Sequence, residues 1–257
     1  MPFTISHAAA VLPLKKTRMP LAALMVGSMA PDFAYFLPFS LQRTSTHDVD
    51  GLFLFCWPVG LAVWLFYVYV LERPTIELLP DAWRVRVTPS ERRITFQSLA
   101  WASLGLIVGA ITHDLWDAFT HGGTFVTSRV PALNVPLFQF QGRNIRVYFM
   151  LQVLSSIVGL FALWRYALQL RNGPPRSAAP GDSAGFVTNR TRVLALLSVV
   201  VMSGLLALLG YASTSSDFFE ARLFYMLIGG MTGGFVAWCG IAVLISRISR
   251  EARHTGG

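Results

Sequence analysis

Five stretches of this chain are long and apolar enough to cross a bilayer: 51–71, 97–119, 147–169, 194–212 and 223–245. A hydrocarbon core needs roughly 20 apolar residues of helix to span it. A sixth stretch, 19–39, is apolar but interrupted by Pro31-Asp32 and Pro38. It either spans or is a helix that stops and turns back. The expected fold is all-α, an integral membrane helical bundle of five to six transmembrane or re-entrant helices.

Composition agrees with lipid as the surrounding medium. Of the 257 residues, 54% are hydrophobic and 13% charged, against about a quarter charged in a soluble domain. The net charge of +8 sits in short Lys/Arg clusters between apolar runs, where membrane proteins place charge near headgroups. Membrane lipid is therefore the expected partner, and no nucleic acid. Cys56 and Cys239 lie inside apolar runs and read as buried thiols, silent about compartment. Lys15, Lys16 and Arg18 follow the first apolar residues instead of preceding them, so no cleavable signal is expected and the N-terminus is retained.

Three parts are expected: a site-bearing membrane domain over 1–170, a Pro/Gly/Ser-rich linker over 171–193, and a two-helix membrane anchor with a short basic tail over 194–257. Between the spans lie a basic loop from Glu72 to Phe96 and a Pro/Gly-containing loop from His121 to Arg146. Loop 72–96 carries five Lys/Arg, the linker four and the tail three, against three in loop 121–146 and one at Arg222. Twelve against four places the first set in the cytoplasm. If 19–39 does not span, Lys15, Lys16, Arg18 and Arg43 move to the other side of that count. The expected location is the cell membrane, multi-pass, with the loop after Phe119 on the extracytoplasmic face.

Four of the five histidines fall in the first half: His7, His47, His113 and His121. Helical residues four apart share a face, so His113, Asp117 and His121 form one stripe. Imidazole and carboxylate at that spacing converge on a zinc-type cation. The stripe ends an apolar run, where an ionisable group costs about 2.5–3.5 kcal/mol at a helix centre and faces protein or a water-filled cavity. Asp32, after Pro31, and His47, before Asp48, map to the same end of the predicted helices. A metal site is the expectation. The alternative is a structural hydrogen-bond cluster, because buried polar groups need partners.

These residues carry a resemblance. The opening Met1-Pro-Phe-Thr-Ile-Ser-His7, the block Gly27-Ser-Met-Ala-Pro-Asp32-Phe, the segment from His47 through Gly51-Leu-Phe-Leu-Phe55, and Gly109-Ala-Ile-Thr-His113-Asp-Leu-Trp-Asp117-Ala-Phe-Thr-His121 resemble an uncharacterised family of bacterial membrane proteins, the domain of unknown function numbered four-one-eight-four. The likeness covers roughly 1–245. A more distant resemblance, to zinc-dependent phospholipase C proteins and membrane-bound metal-dependent hydrolases, implies chemistry. By that resemblance Asp32, His47, His113 and Asp117 ligate one zinc, Asp117 bridges to a second ion completed by His7, and His121 serves a further metal. The phospholipases also use the amino group of an N-terminal Trp and a later HxxxE pair. This chain begins at Met1 and has no histidine between His121 and His254, which limits the expectation to one or two ions, zinc or another divalent metal.

The reaction expected of such a site is hydrolysis of a phosphoester, with a phospholipid headgroup as the substrate that a bilayer-surface site meets. Asp32 and Asp48 are the candidate general bases, and Arg43 and Arg129 the candidate phosphate holders. The rival expectation is a non-catalytic transport or assembly protein whose metal or hydrogen-bond cluster ties helices together.

Overall fold

The computed structural model describes residues 3–37, 45–90, 93–175, 187–215 and 218–255. A short helix α1 (Leu21–Gly27) precedes five helices long and apolar enough to cross a membrane: α2 (Val49–Leu78), α3 (Phe96–Thr120), α4 (Val147–Asn172), α5 (Asn189–Ser213) and α6 (Phe219–Thr255). Among the described residues the strands are two, β1 (Pro136–Phe140) and β2 (Arg143–Arg146), paired as an antiparallel hairpin. The protein is all-α and membrane-embedded. Its surface agrees: Leu196, Val200 and Leu208 on α5 are each about two-thirds exposed, a display that lipid tolerates and water penalises.

Two stretches read as loops are structured. The helix expected over 51–71 continues to Leu78, so Glu72–Leu78 is helical. Pro58 and Pro74 lie inside α2, and each follows a widened turn in which Trp57 N–H bonds Leu52 O and Glu72 N–H bonds Tyr67 O. These i→i−5 bonds are how a helix absorbs a ring that lacks an N–H. The loop after His121 contains a short helix (Phe125–Arg129) and the β1–β2 hairpin. Gln141 and Gly142, with φ of 48° and 75°, supply the two positive φ angles of a two-residue I′ turn.

The chain divides into two compact units, residues 1–65 with 93–169, and residues 66–92 with 170–257. The first holds every residue of the candidate site that the structure describes. Its N-terminus is re-entrant. Phe3 N–H donates to Ser156 Oγ at 3.0 Å, and the His7 and His113 rings stack 3.9 Å apart. Eleven residues after His7, the Arg18 guanidinium lies 5.8 Å from the Trp101 ring centre, and the Lys15 ammonium 4.9 Å from that of Tyr166. Trp101 and Asp117 are about 24 Å apart along α3, at 1.5 Å per residue. The chain thus descends from the site end to the Phe96 end of α3, and α1 returns it alongside α3. Over its described residues, 19–37, the 19–39 stretch is broken between Gly27 and Ala30 and does not span as one helix. Backbone contact makes the return tight: a Cβ on Gly109 would lie 2.3 Å from Leu24 O, and one on Gly27 2.2 Å from Leu106 O. Only glycine lets the two helices approach so closely. α4 packs antiparallel to α3, with Trp116 Nε1–H donating to Ser155 Oγ at 3.1 Å.

In the second unit α5 and α6 form a hairpin closed by glycines of α6. A Cβ on Gly233 would lie 2.3 Å from Met202 O. Trp238 Nε1–H donates to Thr75 Oγ1 at 2.9 Å, and the buried Glu72 carboxylate accepts from the Ser90 N–H and hydroxyl.

Candidate metal centre

The backbone delivers each site residue by a local device. α3 starts at a Thr95/Ser98 capping box and carries His113 and Asp117 one turn apart on its inner face, 0% and 3% exposed. It stops at His121, whose extended backbone ends the helix. After α1, Pro31 opens a 3-10 turn (Ala30–Phe36) that holds Asp32, 1% exposed. A second 3-10 turn (Thr4–Ala9) holds His7, 3% exposed. His47 sits just before α2. Beneath the site Ala30, Leu52, Cys56 and Ala110 pack into a small apolar floor.

The imidazole and carboxylate atoms face one another at nearly equal separations. His47 Nε2 lies 3.7 Å from Asp32 Oδ1 and 3.8 Å from Asp117 Oδ2. His113 Nε2 lies 3.7 Å and 3.6 Å from the same two oxygens. On the other oxygen of Asp117, His7 Nε2 is 3.7 Å from Oδ1. None of these is a hydrogen bond, which would run about 2.7–3.2 Å. They are close to the roughly 3.3 Å edge of a tetrahedron of ligands at zinc distances of about 2.0–2.1 Å. Two triads, His7–His113–Asp117 and Asp32–His47–His113, each offer ligand atoms all within 4.8 Å of one another.

Neighbouring groups orient this set. His113 Nδ1 is 2.8 Å from Ser28 O. A carbonyl only accepts, so Nδ1 carries the proton of this bond and Nε2 is the nitrogen that faces the carboxylates. Thr4 Oγ1 donates to Asp32 Oδ2 at 2.7 Å, leaving Oδ1 for the imidazoles. Burial, with the His113 ring alongside, pushes His7 down to about 3, so it is neutral, the form that binds a cation. Burial works to raise the Asp32 carboxyl, but the His47 and His113 imidazoles and the Thr4 hydroxyl outweigh it and hold Asp32 below the usual carboxylate range. Both ring nitrogens of His7, and Nε2 of His113, are buried with no hydrogen-bond partner among the described residues. Three unsatisfied ring nitrogens beside two carboxylates fit a cation better than a self-contained hydrogen-bond cluster.

The structure gathers His7, Asp32, His47, His113 and Asp117, with His121 at the edge. The His121 side chain is 15% exposed and its Nδ1 lies 3.3 Å from Asp117 Oδ2. Asp48 is placed elsewhere. Its carboxylate accepts from Gly51 N–H at 2.6 Å as the N-cap of α2, and the residue is exposed. Arg129 is also exposed, its guanidinium 3.7 Å from the Phe125 ring centre and donating to Phe125 O. A role as general base for Asp48, or as phosphate holder for Arg129, does not follow from these positions, because each group is engaged locally. Arg43 lies outside the described residues. Four contributors escaped the sequence reading: Thr4, Ser28, Thr46, whose hydroxyl is 2.9 Å from His47 Nδ1, and Gln152, whose amide nitrogen is 3.4 Å from His121 Nε2. A signal existed only for Gln152, which with Ser155 and Ser156 forms a polar i, i+3, i+4 stripe in an apolar run.

No curated protein and no solved structure matches the chain. The family described as a domain of unknown function, DUF4184, matches residues 1–246, nearly the whole length, and this chain belongs to that family.

Proposed function

We propose that this chain is a membrane-bound, metal-dependent hydrolase that cleaves a phosphoester, with zinc or another divalent ion at the His/Asp cluster and a phospholipid headgroup as substrate. The supporting observation is the set of four imidazole–carboxylate separations of 3.6–3.8 Å among His47, His113, Asp32 and Asp117. A divalent ion held there supplies Lewis acidity toward a phosphoryl oxygen and acidifies water toward neutral pH. Asp117 reaches two positions at once, with Oδ2 in this four-donor set and Oδ1 toward His7. The second position is the triad His7–His113–Asp117, three protein donors, and a fourth position taken by water or substrate is what a catalytic ion requires. Asp32 is a ligand in this reading and not a base, since Thr4 holds one oxygen and the imidazoles face the other. Lys15 and Arg18 lie at the Phe96 end of α3. They therefore join the basic, cytoplasmic set, and the site opens on the extracytoplasmic face of the cell membrane.

A structural ion is the second reading, and one observation favours it: Asp32, His47, His113 and Asp117 already make four protein donors, the closed set of a structural site. Elemental analysis of the purified protein, paired with release of headgroup phosphate from phospholipid in mixed micelles, separates the readings. Bound metal with turnover that His7→Ala abolishes supports the hydrolase. Bound metal without turnover leaves the structural ion. Protein purified without chelators and free of metal removes both.

A further inference from the structure

Between the last site residue of α3 and the first turn of α4, the chain builds a hydrogen-bonded projection that displays apolar side chains. Thr127 Oγ1 donates to His121 O at 2.9 Å, the Asn134 side-chain amide donates to Thr127 O, and Val147 N–H donates to Val135 O at 3.1 Å. The hairpin is therefore fastened to the helix end that carries His121. From that base a five-residue strand reaches about 17 Å, at 3.4 Å per residue. Its side chains do not cover a core. Leu137, Phe138 and Phe140 are each about half exposed, and Phe125, earlier in the same connection, is 70% exposed. Arg129, Arg143 and Arg146 are interleaved with them, and no acidic residue occurs between Asp117 and Asp182.

Large exposed aromatics on a flexible loop would invite aggregation, but this hairpin is tethered at both ends to membrane-crossing helices. It cannot leave the bilayer face at which α3 ends and α4 begins. Apolar side chains and arginines together are what the headgroup layer accepts: Phe and Leu at the hydrocarbon boundary, guanidinium groups on phosphate. With Arg143 and Arg146 and no carboxylate, the hairpin is complementary to anionic headgroups.

We propose that the β1–β2 hairpin, with Phe125, is a docking surface for anionic phospholipid, seated in the headgroup layer beside the His/Asp cluster. This shares with the reading above only the choice of a lipid, and its test reads binding without hydrolysis. A nitroxide is attached at Phe138→Cys in the full chain carrying Cys239→Ser, with the buried Cys56 left in place. The protein is reconstituted in nanodiscs of phosphatidylcholine, or of an equal mixture of phosphatidylcholine and phosphatidylglycerol. The expected result is a label sheltered from an aqueous nickel relaxant and reached by oxygen, relative to a label at Thr88→Cys. In the mixed lipid, Arg143→Gln with Arg146→Gln reduces the phosphatidylglycerol retained on detergent extraction by more than about tenfold, since one such arginine is worth roughly fivefold, while metal content is unchanged. Nickel access equal to that at Thr88 overturns the proposal. So does dipolar broadening between labels, which would make a second copy the occupant, or unchanged phosphatidylglycerol retention in the double variant.

Discussion

His113 Nδ1 lies 2.8 Å from the carbonyl oxygen of Ser28, eighty-five residues away in sequence. This contact ties the end of α1 to the middle of the site and fixes which imidazole nitrogen faces the carboxylates. The ring is completely buried, and its other nitrogen has no hydrogen-bond partner among the described residues.

His113→Ala removes the one imidazole common to both triads. Metal measured on protein purified without chelators should fall by about tenfold or more, because ligand loss costs at least as much as the 10–100-fold loss seen for outer-shell partners. Far-UV circular dichroism should stay helical. Wild-type metal content in the folded variant would remove His113 from the ligand set.

Thr4→Val is a milder probe of the same centre. It keeps the volume but deletes the hydroxyl that bonds Asp32 Oδ2. Metal affinity, measured by competition with a chromogenic chelator, should drop about 10–100-fold. A structural role for Thr4 alone would lower thermal stability and leave affinity untouched, so the two readouts are taken together.

The approach of α1 to α3 is tested by Gly109→Ala, whose new methyl would meet Leu24 O at 2.3 Å. Neither backbone can yield cheaply. The expected loss is about 1–3 kcal/mol, the range for overpacking a tight contact, read as a lower midpoint of unfolding in detergent. Gly204→Ala, with nothing within 4 Å of the added methyl, is the control and should be neutral or slightly stabilising. Equal effects at the two positions would mean the close contact is absent.

What could be read from the residues alone follows from what is local. The five spans are visible because each is a predominantly apolar run of about 20 residues, and His113, Asp117 and His121 because four-residue spacing puts them on one helical face. The π-turns are harder to see, since a proline inside an apolar run equally marks a helix end. Asp48 had a local signal too: an acidic residue immediately before an apolar run is a helix cap, and its proximity to His47 drew it into the site instead. Thr4 and Ser28 were invisible because their partners, Asp32 and His113, meet them only after the N-terminal segment descends and returns. No periodicity encodes that excursion. It depends on Gly27 and Gly109 letting α1 lie against α3.

The re-entrant path makes a topological prediction. Thr17 is exposed between Lys15 and Arg18, whose charges lie over Tyr166 and Trp101 at the Phe96 end of α3. Ser128 is exposed just beyond the opposite end of that helix, near His121. The two positions are separated by most of the length of α3, about 37 Å for its 25 residues at 1.5 Å each. A bilayer core of roughly 30 Å fits between them. Single cysteines at Thr17→Cys and Ser128→Cys, in the Cys239→Ser background, are exposed to a membrane-impermeant maleimide in sealed, right-side-out vesicles. Ser128→Cys should label at once and Thr17→Cys only after permeabilisation, because the basic end is held in the cytoplasm. The reverse order would keep the re-entrant path and invert the site to the cytoplasmic face. Labelling of both from one side would mean that residues 3–18 never descend, and the packing of Lys15 and Arg18 against the far ends of α4 and α3 would have to be abandoned.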